Sequence, residues 1–275
     1  MSIKIDRNDA PSSPGDSEGF ESPFALHNAS GQSALVLVCE HASNHIPAHY
    51  RGLGLSLEHQ QRHIAWDMGA LAVAMAMSEL LDAPLVHATY SRLLLDLNRP
   101  LDADDSIVVH SEDTAIPGNR SLEPSERELR ASAIYRPFHD AVTALIDARM
   151  ASGQVTAVLS IHSFTPSYHG VARPWHIGVL AEHDRRLADD LLRTFNADPA
   201  LCVGDNQPYA PINGVYHSMN RHGQQRGLAC AMIELRNDLI AHTITQRAWA
   251  ERLCAALTPA LERLHSSRLQ HAMHR

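Results

Sequence analysis

Short apolar runs of strand length, separated by longer helical segments, constrain the fold of this chain more than any other feature. The first run, residues 34–39, is continuously apolar, as expected of a strand buried on both faces of a sheet. Similar runs follow at residues 84–88, 155–161, 176–180 and 228–235. Strands that alternate with helices in this way predict a single-domain α/β fold, in which a mostly parallel mixed sheet lies between two layers of helices.

Four segments have the composition or spacing of helices, and they span residues 65–81, 125–149, 184–195 and 243–265. Two of them begin with a capping box, Ser125 with Glu128 and Thr243 with Gln246, whose side chains would bond free amides of the first turn. Residues 1–32 are polar and show no periodicity. They are predicted to form a flexible N-terminal tail, which leaves residues 33–275 as one folded domain.

Charge and composition exclude several classes of partner. The 275 residues carry a net charge of −8, so the protein as a whole repels nucleic acids and anionic lipids. No apolar stretch approaches the ~20 residues that a membrane span needs, and the first residues lack a signal-peptide pattern. The four cysteines lie far apart, as reduced core residues do. We therefore predict a cytoplasmic protein with no nucleic-acid or membrane partner.

The candidate metal ligands are histidines at the ends of apolar runs. Histidine accounts for 19 of the 275 residues. In open α/β sheets ligands bind beyond the carboxyl ends of the strands, and His41 and His162 follow or end two of the runs. Catalytic zinc usually takes three protein ligands and leaves a fourth position for water. Two imidazoles from separate strands therefore predict a zinc site that needs one further ligand.

Asp67 is the best candidate for that third ligand, because it precedes a helix near the same edge of the sheet. Glu40 and His63 are the alternatives. Asp67 could also be an ordinary N-cap that accepts backbone amides of the helix that follows.

One buried carboxylate and two arginines suggest further chemistry. Glu234 lies within the last apolar run, where desolvation would raise its pKa and suit it to be a general base. Its alternative role is an ion pair with Arg236. Arg92 and Arg99 flank Asp96, and guanidinium groups bind carboxylates in paired hydrogen bonds, which indicates a small anionic substrate. An ordinary surface pair between Arg92 and Asp96 is equally compatible with the spacing.

Taken together, these segments resemble the N-formylglutamate amidohydrolase family. The resemblance covers residues 34–260, and its motifs lie at residues 38–47, 63–67, 91–99, 161–164 and 233–239. It implies a phosphorylase/hydrolase-like fold similar to that of the zinc-dependent exopeptidases. By the same resemblance, Glu234 would activate water and Arg92 would steady the oxyanion. Asn98 and Arg99, with Arg236 as a further candidate, would hold the carboxylate of the substrate.

The resemblance implies a zinc-dependent hydrolase that cleaves N-formyl-L-glutamate to formate and glutamate. Family members in histidine breakdown typically carry Pro-His-Ser-Gly at the first site, whereas this chain has Glu-His-Ala-Ser at residues 40–43. That difference leaves a related N-acyl amino acid as a second possible substrate. A non-catalytic metal-binding or anion-sensing module on the same fold is the alternative from another class.

Overall fold

A seven-stranded mixed sheet forms the centre of the protein in the computed structural model, which describes the backbone of residues 20–273 and the side chains of residues 20–266. The strands are β1 Phe24–His27, β2 Leu35–Cys39, β3 Leu85–Ala88, β4 Ala157–Phe164, β5 Ile177–Leu180, β6 Val203–Asp205 and β7 Ala229–Arg236. Their spatial order is β1-β3-β2-β4-β7-β5-β6. Strands β3, β2, β4 and β7 are mutually parallel, as are β5 and β6, whereas β1–β3 and β7–β5 are antiparallel pairs. The predicted mostly parallel mixed sheet is confirmed.

Helices cover both faces of this sheet. They are α1 Leu57–Gln61, α2 Ala70–Leu81, α3 Pro124–Arg130, α4 Arg136–Ala151, α5 Ala188–Asn196, α6 His217–His222 and α7 Thr243–Met273. A π-helical segment, Ala131–Tyr135, joins α3 to α4. Short 3₁₀ turns occur at Ala48–Gly54, Pro117–Asn119, Pro211–Asn213, Gln224–Arg226 and Asn237–Ile240. Two small hairpins pair His110–Ser111 with Thr114–Ala115 and Ser167–Tyr168 with Val171–Ala172.

Strand β2 shows why its sequence is apolar at every position. Successive side chains of a strand point to opposite faces, so Leu35 and Leu37 pack under α2, α5 and α7, whereas Val36 and Val38 pack with α4 and α6. All five residues of β2 are buried. The single domain therefore has three layers, with one apolar core on each side of the sheet.

The ends of several elements differ from their predicted positions. Helix α3 begins at Pro124 with Glu123 as its N-cap, so the capping box predicted at Ser125 is wrong. Proline fits the first turn because its missing amide would be unpaired there. At α7, Thr243 is already helical, and Thr245 rather than Thr243 bonds the backbone of residue 242. The second capping box is therefore also wrong. Helices α2 and α5 begin five and four residues later than predicted, at residues 70 and 188.

The segment predicted as a flexible tail contains a strand. Residues 1–19 lie outside the described residues. Strand β1, Phe24–His27, pairs with β3 and forms one edge of the sheet, so this part of residues 1–32 belongs to the folded domain. This four-residue strand is too short to be recognised from its own sequence, because an edge strand is stabilised mainly by pairing. Within residues 20–273, none of the helices combines the length and the apolar character that crossing a bilayer requires.

Two fully buried histidines connect α4 with α6. His139 Nδ1 lies 2.8 Å from His222 Nε2, and His139 Nε2 lies 3.0 Å from the carbonyl oxygen of Leu97. A carbonyl oxygen only accepts, so neutral His139 carries its proton on Nε2 and accepts from His222 at Nδ1. Burial, followed by the charge of Arg221, lowers the pKa of His222 to about 3. Burial, with the neighbouring His222, also holds the pKa of His139 well below its ordinary value. Both rings are therefore neutral in the folded protein.

This pair makes the stability of the fold depend on pH. Histidine in an unfolded chain binds a proton below about pH 6.5, whereas the buried rings do not. We expect the contribution of this pair to the free energy of unfolding to be constant above that pH and to fall as the pH decreases toward 4, by about 1.4 kcal/mol per pH unit for each proton taken up on unfolding. Urea unfolding between pH 8 and pH 4 measures this slope. The variant His222→Gln keeps a side-chain donor without the titration and should show a shallower slope. His183→Gln, at an exposed ring, is the control, and equal slopes in the two variants would contradict the assignment.

Candidate active site

The candidate site lies at the carboxyl edge of the parallel strands. His41 comes two residues after the end of β2, and His162 lies two residues before the end of β4. Because β2 and β4 are parallel neighbours, their carboxyl ends meet at one edge. The two imidazole rings are 4.8 Å apart between centroids, and both side chains are buried. The structure thus brings together the two histidines that the sequence singled out.

Asp67 reaches this edge from the turn that precedes α2. Its backbone N–H donates to the carbonyl oxygen of His41 at 2.9 Å. Gly69 then turns the chain into α2 with a φ of 81°, and a Cβ at that position would lie 2.5 Å from the carbonyl oxygen of Ile240. The N-cap of α2 is Gly69, which has no side-chain cap. The alternative role of Asp67 as an N-cap is therefore wrong.

Asp67 faces both imidazoles. Its Oδ2 lies 3.4 Å from His41 Nδ1 and 2.7 Å from His162 Nδ1. One potential ligand atom from each of the three residues lies within 4.8 Å of the others. His41 Nδ1 is buried and has no hydrogen-bond partner, so the site contains an unsatisfied polar atom that a metal ion would pair. Two imidazoles and a carboxylate form a donor set that fits zinc.

The opposite nitrogen of each histidine meets a second buried carboxylate. His41 Nε2 lies 2.7 Å from Asp96 Oδ1, and His162 Nε2 lies 3.1 Å from Glu40 Oε2. Ser160 Oγ also donates to Glu40 Oε2 at 2.5 Å. Such carboxylate–histidine contacts orient the rings of metal ligands and make them better donors. Glu40, an alternative for the third ligand, thus lies on the far side of His162 from Asp67.

The carboxylates of this centre are ionised. Burial raises the pKa of Glu40, but the adjacent His162 and the Ser160 hydroxyl outweigh it and lower that pKa to about 2. Burial likewise opposes ionisation of Asp67 and Asp96. The pKa of Asp67 nevertheless lies below its ordinary range because of His41 and His162, and the pKa of Asp96 does so because of Arg92 and His41. Three buried negative charges around two imidazoles favour a cation.

Glu234 adds a carboxyl group of a different kind. It lies on β7 beside His162 of β4 in the strand register. The side chain is buried, and its Oε2 has no hydrogen-bond partner. Burial raises the pKa of Glu234 to about 7, with the charges of His162 and Asp67 acting in opposite directions. The predicted upward shift is confirmed, and a carboxyl group with this pKa can both accept and release a proton near neutral pH.

Arg92 approaches the same centre from the loop after β3. Its Nε and Nη2 donate to Asp96 Oδ2 at 3.1 and 2.6 Å, and its Nη1 lies 3.6 Å from Asp67 Oδ1. Asp96 is buried and contacts His41 on its other oxygen. The alternative of an ordinary surface pair is therefore wrong, and Asp96 connects the guanidinium to a candidate metal ligand.

The three residues predicted to bind a substrate carboxylate differ in their position and in their hydrogen-bond partners. Arg99 lines the cavity and donates to Asp105 Oδ2 at 2.6 Å. Asn98 is buried, and both ends of its amide bond backbone groups, the carbonyl of Val215 and the amide of Ser218. Arg236 donates to Asp238 at 2.8 Å and is not part of the cavity wall. The alternative of an ion pair between Arg236 and Glu234 is therefore wrong, and its predicted place at the substrate is not supported, because its guanidinium bonds Asp238 and the carbonyl oxygens of Arg173 and Pro174.

A cavity of about 190 Å³ lies over this centre. Its wall combines the candidate ligands, Glu234 and Arg92 with residues that the sequence analysis did not select, namely Asp105, Glu112, Phe164, Tyr168 and Tyr209. Glu112 Oε2 lies 2.8 Å from Arg62 Nη2 and 3.0 Å from His63 Nε2, so His63, the other alternative ligand, forms part of the rim. Phe164 ends β4 and Tyr168 belongs to the small hairpin, whereas Asp105, Glu112 and Tyr209 lie in turns or loops, and nothing in the sequence indicates that these five residues are close together.

Residues 33–241 match the family model of N-formylglutamate amidohydrolase. The chain belongs to this family. A crystal structure of a gene product of Agrobacterium tumefaciens is 44% identical, with a TM-score of 0.87, over 89% of this chain and 97% of the other. The N-formylglutamate amidohydrolase of Ralstonia eutropha is 19% identical, with a TM-score of 0.71, over 90% of this chain and 100% of the other. Among curated proteins the comparison found no match. Membership of the N-formylglutamate amidohydrolase family supports a hydrolase that acts on amide bonds.

For this family member, the contact of Asp96 with His41 can be tested by metal binding. We expect Asp96→Asn to weaken the binding of Zn²⁺ by about 10- to 100-fold, because the amide would orient His41 less firmly and would remove a buried negative charge. Competition with a chromophoric chelator measures the affinity. The matched control is Asp105→Asn, at a carboxylate of the cavity rim, which should leave the affinity nearly unchanged. An equal loss in both variants would show that general charge, not the contact with His41, is responsible.

Proposed function

We propose that the protein is a zinc-dependent amidohydrolase that cleaves N-formyl-L-glutamate, or a closely related N-acyl amino acid, into a carboxylate and the free amino acid. The observation that carries the proposal is the convergence of His41, Asp67 and His162 next to Glu234, whose pKa of about 7 suits proton transfer. Metal ligands alone would fit a structural site. A buried, unpaired carboxyl group beside them fits catalysis.

In this proposal His41, Asp67 and His162 hold the zinc ion. The bound ion would supply a Lewis acid that polarises the substrate carbonyl and acidifies water. Glu234 accepts a proton from the attacking water as the new C–O bond forms. It then donates that proton to the amide nitrogen as the C–N bond breaks, so that formate and a free amine leave.

Two arginines of the cavity can stabilise the negative charges of the substrate and of the oxyanion that forms during hydrolysis. Arg92 is held by Asp96 and faces the cavity beside Asp67, where it can stabilise charge on the carbonyl oxygen of the substrate. Arg99 can bind a carboxylate, since one of its guanidinium nitrogens has no hydrogen bond to the described residues. The substrate class is therefore a small anionic N-acyl amino acid.

The role of Glu234 can be tested directly. We expect Glu234→Gln to lower kcat by about 10²- to 10⁴-fold, because the amide cannot move the proton from water to the leaving nitrogen. Release of formate measures turnover, and metal analysis should still find zinc. Glu112→Gln is the matched control on the cavity wall and should retain most of the activity. Full turnover in Glu234→Gln would reject Glu234 as the proton carrier, whereas a zinc-loaded wild type that releases no formate would favour a non-catalytic metal-binding module.

The acyl group can be tested with a substrate panel. We expect the highest kcat/KM for N-formyl-L-glutamate, with lower values for the N-acetyl and longer N-acyl derivatives, because the cavity of about 190 Å³ restricts the acyl group next to the ligands. Equal kcat/KM across the acyl series would reject the formyl preference. A maximum at another acyl group would favour a related N-acyl amino acid as the substrate. Glu40 stands before His41 where family members in histidine breakdown have proline, and this difference is the reason for considering that substrate.

A further inference from the structure

Arg173 lies on the small hairpin that follows β4, the strand that carries His162. The hairpin pairs Ser167–Tyr168 with Val171–Ala172 across a tight turn, in which His169 and Gly170 have φ values of 47° and 75°. Positive φ at both central residues is the geometry that closes a two-residue hairpin with the correct twist. The backbone N–H of Arg173 donates to the carbonyl oxygen of Pro166 at 2.8 Å and closes the base. Arg173 is thus held at the carboxyl edge of the sheet, beside the site.

The guanidinium of Arg173 is enclosed by aromatic rings. Its central carbon lies 4.5 Å from the ring centre of Tyr168, 4.8 Å from that of Tyr209 and 5.9 Å from that of Phe164. Nη1 donates to the Tyr209 hydroxyl at 2.9 Å. The residue is only 9% exposed. The faces of aromatic rings attract a cation but do not neutralise it.

No carboxylate pairs with this buried cation among the described residues. The two other buried arginines are bonded differently: Arg130 pairs with Glu126, and Arg149 donates to the carbonyl oxygens of Gly31 and Ser33. Within residues 20–266 the Tyr209 hydroxyl is the only hydrogen-bond acceptor for the guanidinium of Arg173, and its remaining N–H groups are accessible to solvent. Arginine stays protonated in proteins, and buried charges are normally paired. The position of Arg173 therefore calls for an anion.

The rings that enclose Arg173 form part of the cavity wall, and its guanidinium lies directly behind them. Phe164, Tyr168 and Tyr209 all line the cavity that contains Glu234. Burial and the charge of Glu234 raise the pKa of Tyr209, whereas Arg173 and Arg92 act in the opposite direction, so the tyrosine is close to both arginines and to the glutamate. Arg99, in contrast, is among the charges that act on Asp96 at the centre itself. Arg173 therefore contacts the aromatic side of the cavity wall, whereas Arg99 directly follows Asn98, whose backbone N–H bonds Asp96.

We infer that Arg173 binds the side-chain carboxylate of a dicarboxylic N-acyl amino acid and sets the preference of the enzyme for an acidic side chain. This inference rests on the proposed function and assigns the second carboxylate of its substrate. Arg99 then binds the carboxylate next to the scissile amide. The Nη1 of Arg236 lies 3.5 and 3.4 Å from the carbonyl oxygens of Arg173 and Pro174, so Arg236 contacts the backbone that carries Arg173.

The test compares an acidic substrate with its neutral isostere. N-formyl-L-glutamate and N-formyl-L-glutamine differ only in the charge of the side chain. We expect Arg173→Met to lower kcat/KM for the glutamate substrate by about 10- to 100-fold, the effect of a lost charged hydrogen bond, and to change kcat/KM for the glutamine substrate by less than about 3-fold. Arg173→Lys keeps the charge and should retain part of the preference. Arg226→Met, at a partly buried arginine at the opposite end of β7 that pairs with Asp147, is the control for the arginine-to-methionine change.

A binding measurement separates this inference from the proposed function. Calorimetric titration with L-glutamate and L-glutamine, on the zinc-loaded wild type and Arg173→Met, reads the side-chain preference without turnover. Loss of the glutamate preference in Arg173→Met supports the inference even if the wild type hydrolyses no N-formyl substrate, a result that would reject only the proposed reaction. Equal losses for both ligands in Arg173→Met, or a wild type that binds both equally, would overturn the role of Arg173 while hydrolysis of N-formylglutamate still stands.

Discussion

The contact between buried histidines and buried carboxylates is the constraint on which the rest of the site depends. Asp96, His41, Asp67, His162 and Glu40 form one continuous series, in which each histidine lies between two carboxylates. All five residues are almost completely buried. Removing one member would leave an uncompensated charge without water, which is costly in a protein interior. The series therefore fixes the relative positions of β2, β4, the turn before α2 and the loop after β3.

The parallel arrangement of the central strands explains why this series forms at one edge. Strands β3, β2, β4 and β7 end on the same side, so the residues at or after their ends face one another. Their bodies are apolar on both faces and provide the rigid support that precise ligand placement needs. Gly69 contributes a turn that no side chain would permit, and it brings Asp67 to the histidines.

The arginines around the cavity show how the environment gives one residue type several roles. Arg92 binds Asp96 within the charged series, and Arg99 contacts Asp105 on the rim. Arg236 supports backbone carbonyl groups outside the cavity, and Arg173 lies among aromatic rings without an acidic partner in the described residues. Arg99 therefore lines the cavity and Arg173 packs against three aromatic residues of its wall, whereas Arg236 bonds Asp238 and backbone carbonyl oxygens.

The sequence by itself determined the layers of the fold and the main candidate ligands. Apolar runs of strand length specify buried parallel strands. Ionisable residues within or just after such runs are unfavourable for burial alone, and this observation identified His41, His162 and Glu234. The positions of the first helical residues and strand β1 were not determined locally, because caps and edge strands depend on pairing partners elsewhere in the chain. Only the tertiary structure decided that Glu40 and Asp96 orient the histidines, that Arg236 lies outside the site and that Arg173 lies beside it. These contacts join residues that are tens to more than a hundred positions apart. A single sequence does not show which loops lie close together in space, because that depends on how the whole chain packs.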